Sequence, residues 1–283
     1  MPELPEVETT RRGITPQTQH QTITHMVIRN ASLRWPVDDN LPQKLPGLVI
    51  FDIQRRGKYL ILHMAKRAEK GTAMGHLLIH LGMSGSLRVV PPQSPVKKHD
   101  HIDLVMGNGL CLRYHDPRRF GAWLWWEGAL NEHPLLKHLG PEPLAEDFNA
   151  PYLFAKSRKR QVAIKNFIMT SQTVVGCGNI YANESLFLSC IHPQMLASQL
   201  TLKQAERLVD NIKFVLARSI EQGGTTLRDF LSPDGTPGYF VQQLHVYGKT
   251  GEPCTACGTA IEKVIINQRA SFYCPSCQPK VSA

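Results

Sequence analysis

The stretch 101-HIDLVMGNGLCLRYHDPRRFGAW-123 decides the architecture of the first half of the chain. His101–Met106 and Leu110–Tyr114 are rich in β-branched and apolar residues, and Gly107-Asn108-Gly109 between them has the composition of a tight hairpin turn. Outward from this hairpin the same pattern repeats: Thr22–Arg29, Leu48–Arg55, Tyr59–His63, His76–Leu81, Ser86–Val90 and Ala122–Trp126 all read as short strands between polar or glycine-bearing turns. Strands at this spacing, with no helical period among them, predict a β-sandwich or flattened barrel. Ahead of it, Pro5, Glu6 and Glu8 suit the first turn of a leading helix, with Gly13 as its left-handed C-cap.

Beyond the strands the period changes. Leu130–Pro151, with Pro134, Pro141, Pro143 and Pro151, reads as a bridge. Thr201-Leu202-Lys203-Gln204 is a capping box opening a helix whose apolar stripe is Leu202, Ala205, Leu208, Val209, Ile212, Val215, Leu216 and Ile220, ending near Gly223-Gly224. Helices are also expected over Ile180–Leu188 and Gln161–Met169. The result is an α+β chain in three parts: a catalytic β-sandwich over 1–133, a helical module over 134–245 and a finger over 246–280.

Composition narrows the partner. Against 23 Asp and Glu stand 32 Lys and Arg, a formal charge of +9, which suits a polyanion such as nucleic acid or an anionic membrane surface. No apolar run reaches the ~18 residues of a bilayer span, and no signal-like stretch opens the chain, so a soluble cytosolic protein is expected. In that compartment the seven cysteines are not expected to form disulfides. Cys254-x-x-Cys257 and Cys274-x-x-Cys277, sixteen residues apart, have zinc-ribbon spacing, and four sulfur ligands make a closed, structural site. Cys111, Cys177 and Cys190 are expected to be small buried apolar residues.

Four further stretches carry chemistry. Removal of Met1 would leave Pro2 as a secondary amine whose pKa, ordinarily near ~8, is lowered by a helix N-terminus; such an amine can attack an anomeric carbon, with Glu3 beside it to move protons. Val174 to Glu184 is a glycine-rich turn feeding a helix, with N–H groups that suit a phosphate; a plain helix-turn-helix corner also explains it. The loops holding Met83 and holding Arg118 and Phe120 carry large side chains of the kind that enter a base stack, or core side chains beside a surface arginine. Lys58, after Arg55-Arg56-Gly57, is a loop charge or a catalytic amine, and Arg269 on the finger is a plausible phosphate clamp.

Taken together, PELPEVETTRRG at 2–13, RRGKYL at 55–60, HLGMSG at 80–85, DPRRFGAW at 116–123, GNIYANESLF at 178–187, GGTTLRDF at 223–230, DGTPGYF at 234–240, VYGKTGEPC at 246–254 and the cysteine finger resemble the formamidopyrimidine-DNA glycosylase family over nearly the entire chain. The resemblance implies a helix-two-turns-helix module between sandwich and finger, and damaged double-stranded DNA bound by a monomer across the cleft between halves. It implies a bifunctional glycosylase and lyase in bacterial base-excision repair. Pro2 would be the Schiff-base nucleophile, Glu3 the acid, Lys58 a second proton donor, and Arg269 the phosphate-gripping finger residue. It places His99, Arg118 and Lys159 against DNA, Lys165 and Asn179 against phosphate, and Met83, Arg118 and Phe120 in the void left by a flipped nucleotide. Cys177 stands where valine is usual and Thr170 where aspartate is common. The rival readings are a non-catalytic zinc-ribbon binder of RNA or DNA, and the endonuclease VIII branch, which typically has glycine where Leu4 stands.

Overall fold

A computed structural model describes residues 2–66, 73–224 and 243–280. Met1 and most of the glycine-bearing stretch over 223–240, including the GGTTLRDF and DGTPGYF motifs beyond Gly224, lie outside the described residues. The chain forms two compact units, one built on Met1–Lys137 and one on His138–Gln222 together with the finger.

In the first unit, α1 (Leu4–Thr18) precedes eight strands: β1 (Ile23–Ile28), β2 (Val49–Arg56), β3 (Tyr59–Ala65), β4 (Gly75–His80), β5 (Ser86–Val90), β6 (Asp100–Met106), β7 (Cys111–His115) and β8 (Ala122–Trp126). A single turn, α2 (Leu41–Lys44), lies between β1 and β2. The strands make two antiparallel sheets in the orders β1-β6-β7-β5 and β2-β3-β4-β8. Alternate residues of each sheet, Ile102, Leu104 and Met106 from one and Leu60, Leu62, Met64, Leu77 and Ile79 from the other, meet with Val7 and Ile14 of α1 in one buried core. This is the sandwich expected from period-two patterning. The β6–β7 turn closes through Gly109 N–H to the Met106 carbonyl, 3.1 Å, with Gly109 at φ +80°.

Gly13 does not end the first helix. α1 continues to Thr18, because Ile14 and Thr18 extend the buried stripe begun by Leu4 and Val7, and their burial outweighs the intrinsic cost of about 1 kcal/mol for a helical glycine. Pro16 is accommodated inside this last stretch.

The second unit holds α3 (Ala150–Ser157), α4 (Ile164–Met169), α5 (Asn179–Leu188) and α6 (Leu202–Glu221), followed by the hairpin β9 (Glu262–Ile266) and β10 (Arg269–Tyr273). α3 occupies what reads in sequence as the end of a linker: Asn149 caps it by accepting from Tyr152 N–H at 3.0 Å, and Pro151 sits in its first turn. α6 begins at the expected capping box, Thr201 Oγ1 accepting from Gln204 N–H at 3.2 Å and Gln204 Oε1 accepting from Thr201 N–H at 3.0 Å. Its stripe is buried as expected, except that Leu202 is exposed. Cys111 and Cys177 are buried, but Cys190 is exposed, since it follows the C-cap of α5 in a left-handed turn at φ +56° that faces it outward.

Candidate DNA interface and zinc site

At the start of α1, Pro2 and Glu3 are both buried. Glu3 is the N-cap, its backbone N–H donating to Glu6 Oε2 at 2.8 Å, so the backbone that carries the acid is fixed at the helix start, one residue after Pro2. Gly224, at φ +83°, lies so close to Glu6 that an added Cβ would stand 3.1 Å from its Oε1. One turn on, buried Glu8 binds Arg11 at 2.8 Å, Arg12 at 2.9 Å and Arg55 of β2 at 3.2 Å. Arg55 Nη1 also donates to the Gly57 carbonyl at 3.0 Å, which ties α1 to the turn carrying half-buried Lys58. Burial alone would raise the Glu8 carboxyl, but bonds from Arg11 and Arg12 and the charge of Arg55 hold it below the ordinary range.

The loops 81–85 and 116–121 meet around a buried carboxylate. Asp116 Oδ1 accepts from Ser84 Oγ at 2.7 Å and Arg118 N–H at 3.3 Å; Oδ2 accepts from Tyr114 Oη and Gly121 N–H, each at 2.9 Å. The backbones touch: a Cβ on Gly82, at φ +64°, would lie 2.4 Å from the Phe120 carbonyl carbon. Turned outward from this frame, exposed Met83, Arg118 and Phe120 line one pocket of about 580 Å³ with Arg34, Arg119 and His80. The Arg118 guanidinium stands 4.9 Å over the Phe120 ring, a cation–π contact that holds it side by side with the aromatic wedge. His80 accepts from Gly82 N–H through Nδ1 at 3.0 Å, which puts its own proton on Nε2. Burial first, then the charges of Lys58 and Arg34, push His80 down to about 4, so it is neutral at physiological pH. His99 lies half-buried beside this frame, its ring 5.9 Å from that of His115 and its carbonyl accepting from Asp116 N–H at 3.0 Å.

In the second unit, Lys159 is exposed at φ +61° just after α3, in the run Lys156 to Arg160. Between α4 and α5 the chain makes two turns through Thr170 to Gly178, with Gly176 at φ +80° and Gly178 as the N-cap of α5. Cys177 is buried in these turns, and exposed Thr170 bonds back to the Asn166 carbonyl at 2.9 Å. Asn179, half-buried at the first position of α5, donates to the Ala270 carbonyl at 3.1 Å.

Lys165 departs from the expected phosphate contact. Its side chain is fully buried, and Nζ donates to the Ala270 carbonyl at 2.9 Å and Ser271 Oγ at 2.6 Å, so the amine is directed into the finger instead of outward. Two neighbours that the sequence reading did not single out share this work. Asn183 Oδ1 accepts from Phe272 N–H at 2.7 Å, and the Glu184 carboxylate accepts from the N–H groups of His245, Val246 and Tyr247 at 2.7, 3.0 and 2.9 Å. Their signal was the buried-helix composition around them: Asn183 and Glu184 are polar residues in a largely apolar helix, the first of them one turn on from Asn179.

The finger gathers its four cysteines. Sγ atoms of Cys254 and Cys277 are 3.9 Å apart, Cys257 and Cys274 3.5 Å, Cys257 and Cys277 3.5 Å, and all four lie within 4.8 Å of one another. Tetrahedral zinc with Zn–S near ~2.3 Å requires sulfurs about 3.8 Å apart, so the set fits one structural zinc. Exposed Arg269 leads β10 directly after the turn Asn267-Gln268, both residues left-handed at φ +47° and +60°. Among the described residues no helix is long and apolar enough to cross a membrane.

Comparison with known proteins joins these features. Family models described as the formamidopyrimidine-DNA glycosylase N-terminal domain, the formamidopyrimidine-DNA glycosylase H2TH domain and a zinc finger found in FPG and IleRS match residues 1–123, 139–231 and 251–280. The chain is 60% identical over 283 residues to a formamidopyrimidine-DNA glycosylase of Hydrogenovibrio crunogenus, covering 100% of this chain and 98% of that protein. It is 56% identical over 278 residues to one from Escherichia coli, covering 98% and 100%. Among solved structures it resembles the MutM (Fpg) protein of Thermus thermophilus, with a TM-score of 0.86 and 37% identity over 99% of this chain and 100% of that one. It also resembles Lactococcus lactis Fpg in complex with DNA containing an abasic site, with a TM-score of 0.89 and 35% identity over the same shares. A sandwich led by a Pro-Glu helix, two helices joined by two turns and a four-cysteine hairpin are thus matched end to end, and the chain belongs to the formamidopyrimidine-DNA glycosylase family.

Proposed function

We propose that this chain is a monomeric base-excision enzyme of the bacterial cytoplasm that releases oxidised purines, formamidopyrimidines and 8-oxoguanine, from damaged double-stranded DNA and then cuts the strand. The observation that carries the reading is the start of α1, where Pro2 and Glu3 are buried together and fixed by the cap, in a chain whose relatives bear this activity in their names. The divisions 1–133, 134–245 and 246–280 then correspond to chemistry, duplex binding and finger.

With Met1 removed, the Pro2 nitrogen attacks C1′ of the flipped nucleotide while the C1′–N bond to the base breaks; Glu3 moves the protons that base release and ring opening require. Loss of the ring oxygen's bond to C1′ gives an iminium, which acidifies the C2′–H bond. Removal of that proton expels the 3′ phosphate, and a second elimination expels the 5′ phosphate. Lys58 serves as proton donor in these steps, and Arg269 grips phosphate and assists the last. Met83, Arg118 and Phe120 fill the gap, Arg118 facing the opposite base. His99, Lys159 and Asn179 contact the backbone. Zinc holds the finger and takes no part in the chemistry.

Base release from defined duplexes under single-turnover conditions tests the substrate. Faster release of formamidopyrimidine and 8-oxoguanine opposite cytosine than of oxidised pyrimidines is expected, with a preference of roughly tenfold or more for cytosine over adenine opposite 8-oxoguanine, the size of one good bidentate base contact. A faster rate on thymine glycol than on both purine lesions would place the chain functionally with the pyrimidine-specific branch despite Leu4.

A further inference from the structure

Lys165 is the only charged residue of α4, and it is fully buried. Burying an ammonium costs several kcal/mol unless its protons are well placed. Here they go to the Ala270 carbonyl at 2.9 Å and the Ser271 hydroxyl at 2.6 Å, and that hydroxyl donates in turn to the Arg269 carbonyl at 3.3 Å. Ala270 also receives Asn179 Nδ2 at 3.1 Å, and Phe272 N–H is taken by Asn183 at 2.7 Å. β10 has β9 on one side only, so its other edge carries backbone groups that need partners. Polar side chains of α4 and α5 supply them at Ala270 and Phe272, and through the Ser271 hydroxyl Lys165 is linked to the Arg269 carbonyl. Lys165 holds the segment nearest the arginine, and the tight turn at Asn267-Gln268 leaves that segment little freedom.

We propose that Lys165 is a positioning residue for Arg269: instead of meeting phosphate, its amine fixes the backbone from which Arg269 departs, and so sets the direction of the finger's grip. This rests on the reading of Arg269 as a phosphate-gripping residue. Lysine suits the task better than a neutral donor, because three N–H bonds on one flexible stem satisfy a carbonyl and a hydroxyl on neighbouring residues at once.

The experiment measures binding of the zinc-loaded full chain to a duplex carrying a tetrahydrofuran abasic analogue across a salt series. The variants are Lys165→Met, Ser271→Ala, Arg269→Ala and the pairing of each of the first two with Arg269→Ala. Each phosphate contact contributes about 0.9 to the slope of log K against log salt. Arg269→Ala is expected to lower the slope by about 0.9, Lys165→Met by nearly the same, and the double variant no further than Arg269→Ala alone. Ser271→Ala should lower it less, again with no addition to Arg269→Ala. Zinc content of one per chain and an unchanged main unfolding transition show that Lys165→Met is folded; if it loses zinc, the Ser271→Ala pair carries the test. Additive drops would mean that Lys165 neutralises a phosphate itself and would overturn the proposal, as would a parental slope in Lys165→Met. If Arg269→Ala keeps the parental slope, the reading of Arg269 fails on its own, and a drop in Lys165→Met would then act by another route and overturn the proposal too.

Discussion

The sandwich and the finger are both antiparallel β-structure, yet they are held together by different forces. The sandwich closes two four-stranded sheets over one large apolar core to which α1 contributes. The finger is two strands over a small cluster formed by Phe187, Val246, Cys254, Ile261, Phe272 and Cys274, and two strands alone are marginal in water. Its backbone edge and its lead-in are pinned by Lys165, Asn179, Asn183 and Glu184, and its ends by four thiolates. The contrast teaches where each can be broken: the sandwich through its core or a buried polar hub, the finger through its metal or the helices beneath it.

Metal removal should separate the two most sharply. Structural zinc in small fingers is worth roughly 10–16 kcal/mol at neutral pH. A chelator, or Cys254→Ser, is expected to unfold the finger and abolish tight duplex binding while the main calorimetric transition of the sandwich survives. A common loss of both transitions would show that the finger is part of the sandwich's cooperative unit.

The counterpart in the sandwich is Asp116→Ala, which strips the shared acceptor from Ser84, Tyr114, Arg118 and Gly121. Each buried donor left unsatisfied costs about 1–3 kcal/mol, so a loss of roughly 3 kcal/mol or more is expected in denaturant unfolding, with zinc retained. Burial raises the Tyr114 hydroxyl pKa, and the adjacent Asp116 carboxylate raises it further, so that hydroxyl stays a donor throughout.

Strands were legible because apolar alternation and the Gly107-Asn108-Gly109 turn are local signals, and the cysteine spacing is as local. α3 was hidden because Asn149 and Pro151 serve equally as linker residues and as helix starters. The length of α1 past Gly13 is decided by what Ile14 and Thr18 bury, which is tertiary. For Lys165 the sequence gives a charged residue in a short amphipathic helix, and only the hairpin, over a hundred residues later, makes it internal. The hub role of Asp116 is only partly remote in origin: Tyr114, Arg118 and Gly121 lie within five residues of it, and Ser84 comes from the distant 81–85 loop.

Acid offers a gentler comparison. Glu8, Asp100 and Asp103 are raised by burial but more strongly lowered by their partners: Arg11, Arg12 and Arg55 for Glu8; Lys97 N–H, His115 and Arg88 for Asp100; Arg113 and Arg29 for Asp103. Their folded pKa values lie below the unfolded ones, so the stability they contribute is complete above the ordinary carboxylate range and is lost as pH falls from there through the folded values. Sandwich stability should therefore decline below about pH 4.5 regardless of added zinc. The finger's acid loss, which comes from protonating thiolates, should be delayed by excess zinc. Identical zinc responses in both regions would erase the distinction. The smallest effect expected is from Thr201→Ala, which removes the cap of α6 and should cost about 1 kcal/mol with neither the sandwich nor the metal affected.

The central claim is that the nucleophile is the Pro2 amine at the start of α1. It is tested most directly by borohydride trapping on duplex DNA with an abasic site, comparing the chain that begins at Pro2 with one carrying a non-cleavable N-terminal extension. Covalent complex with the first and none with the second is the predicted result; equal trapping by both would contradict it.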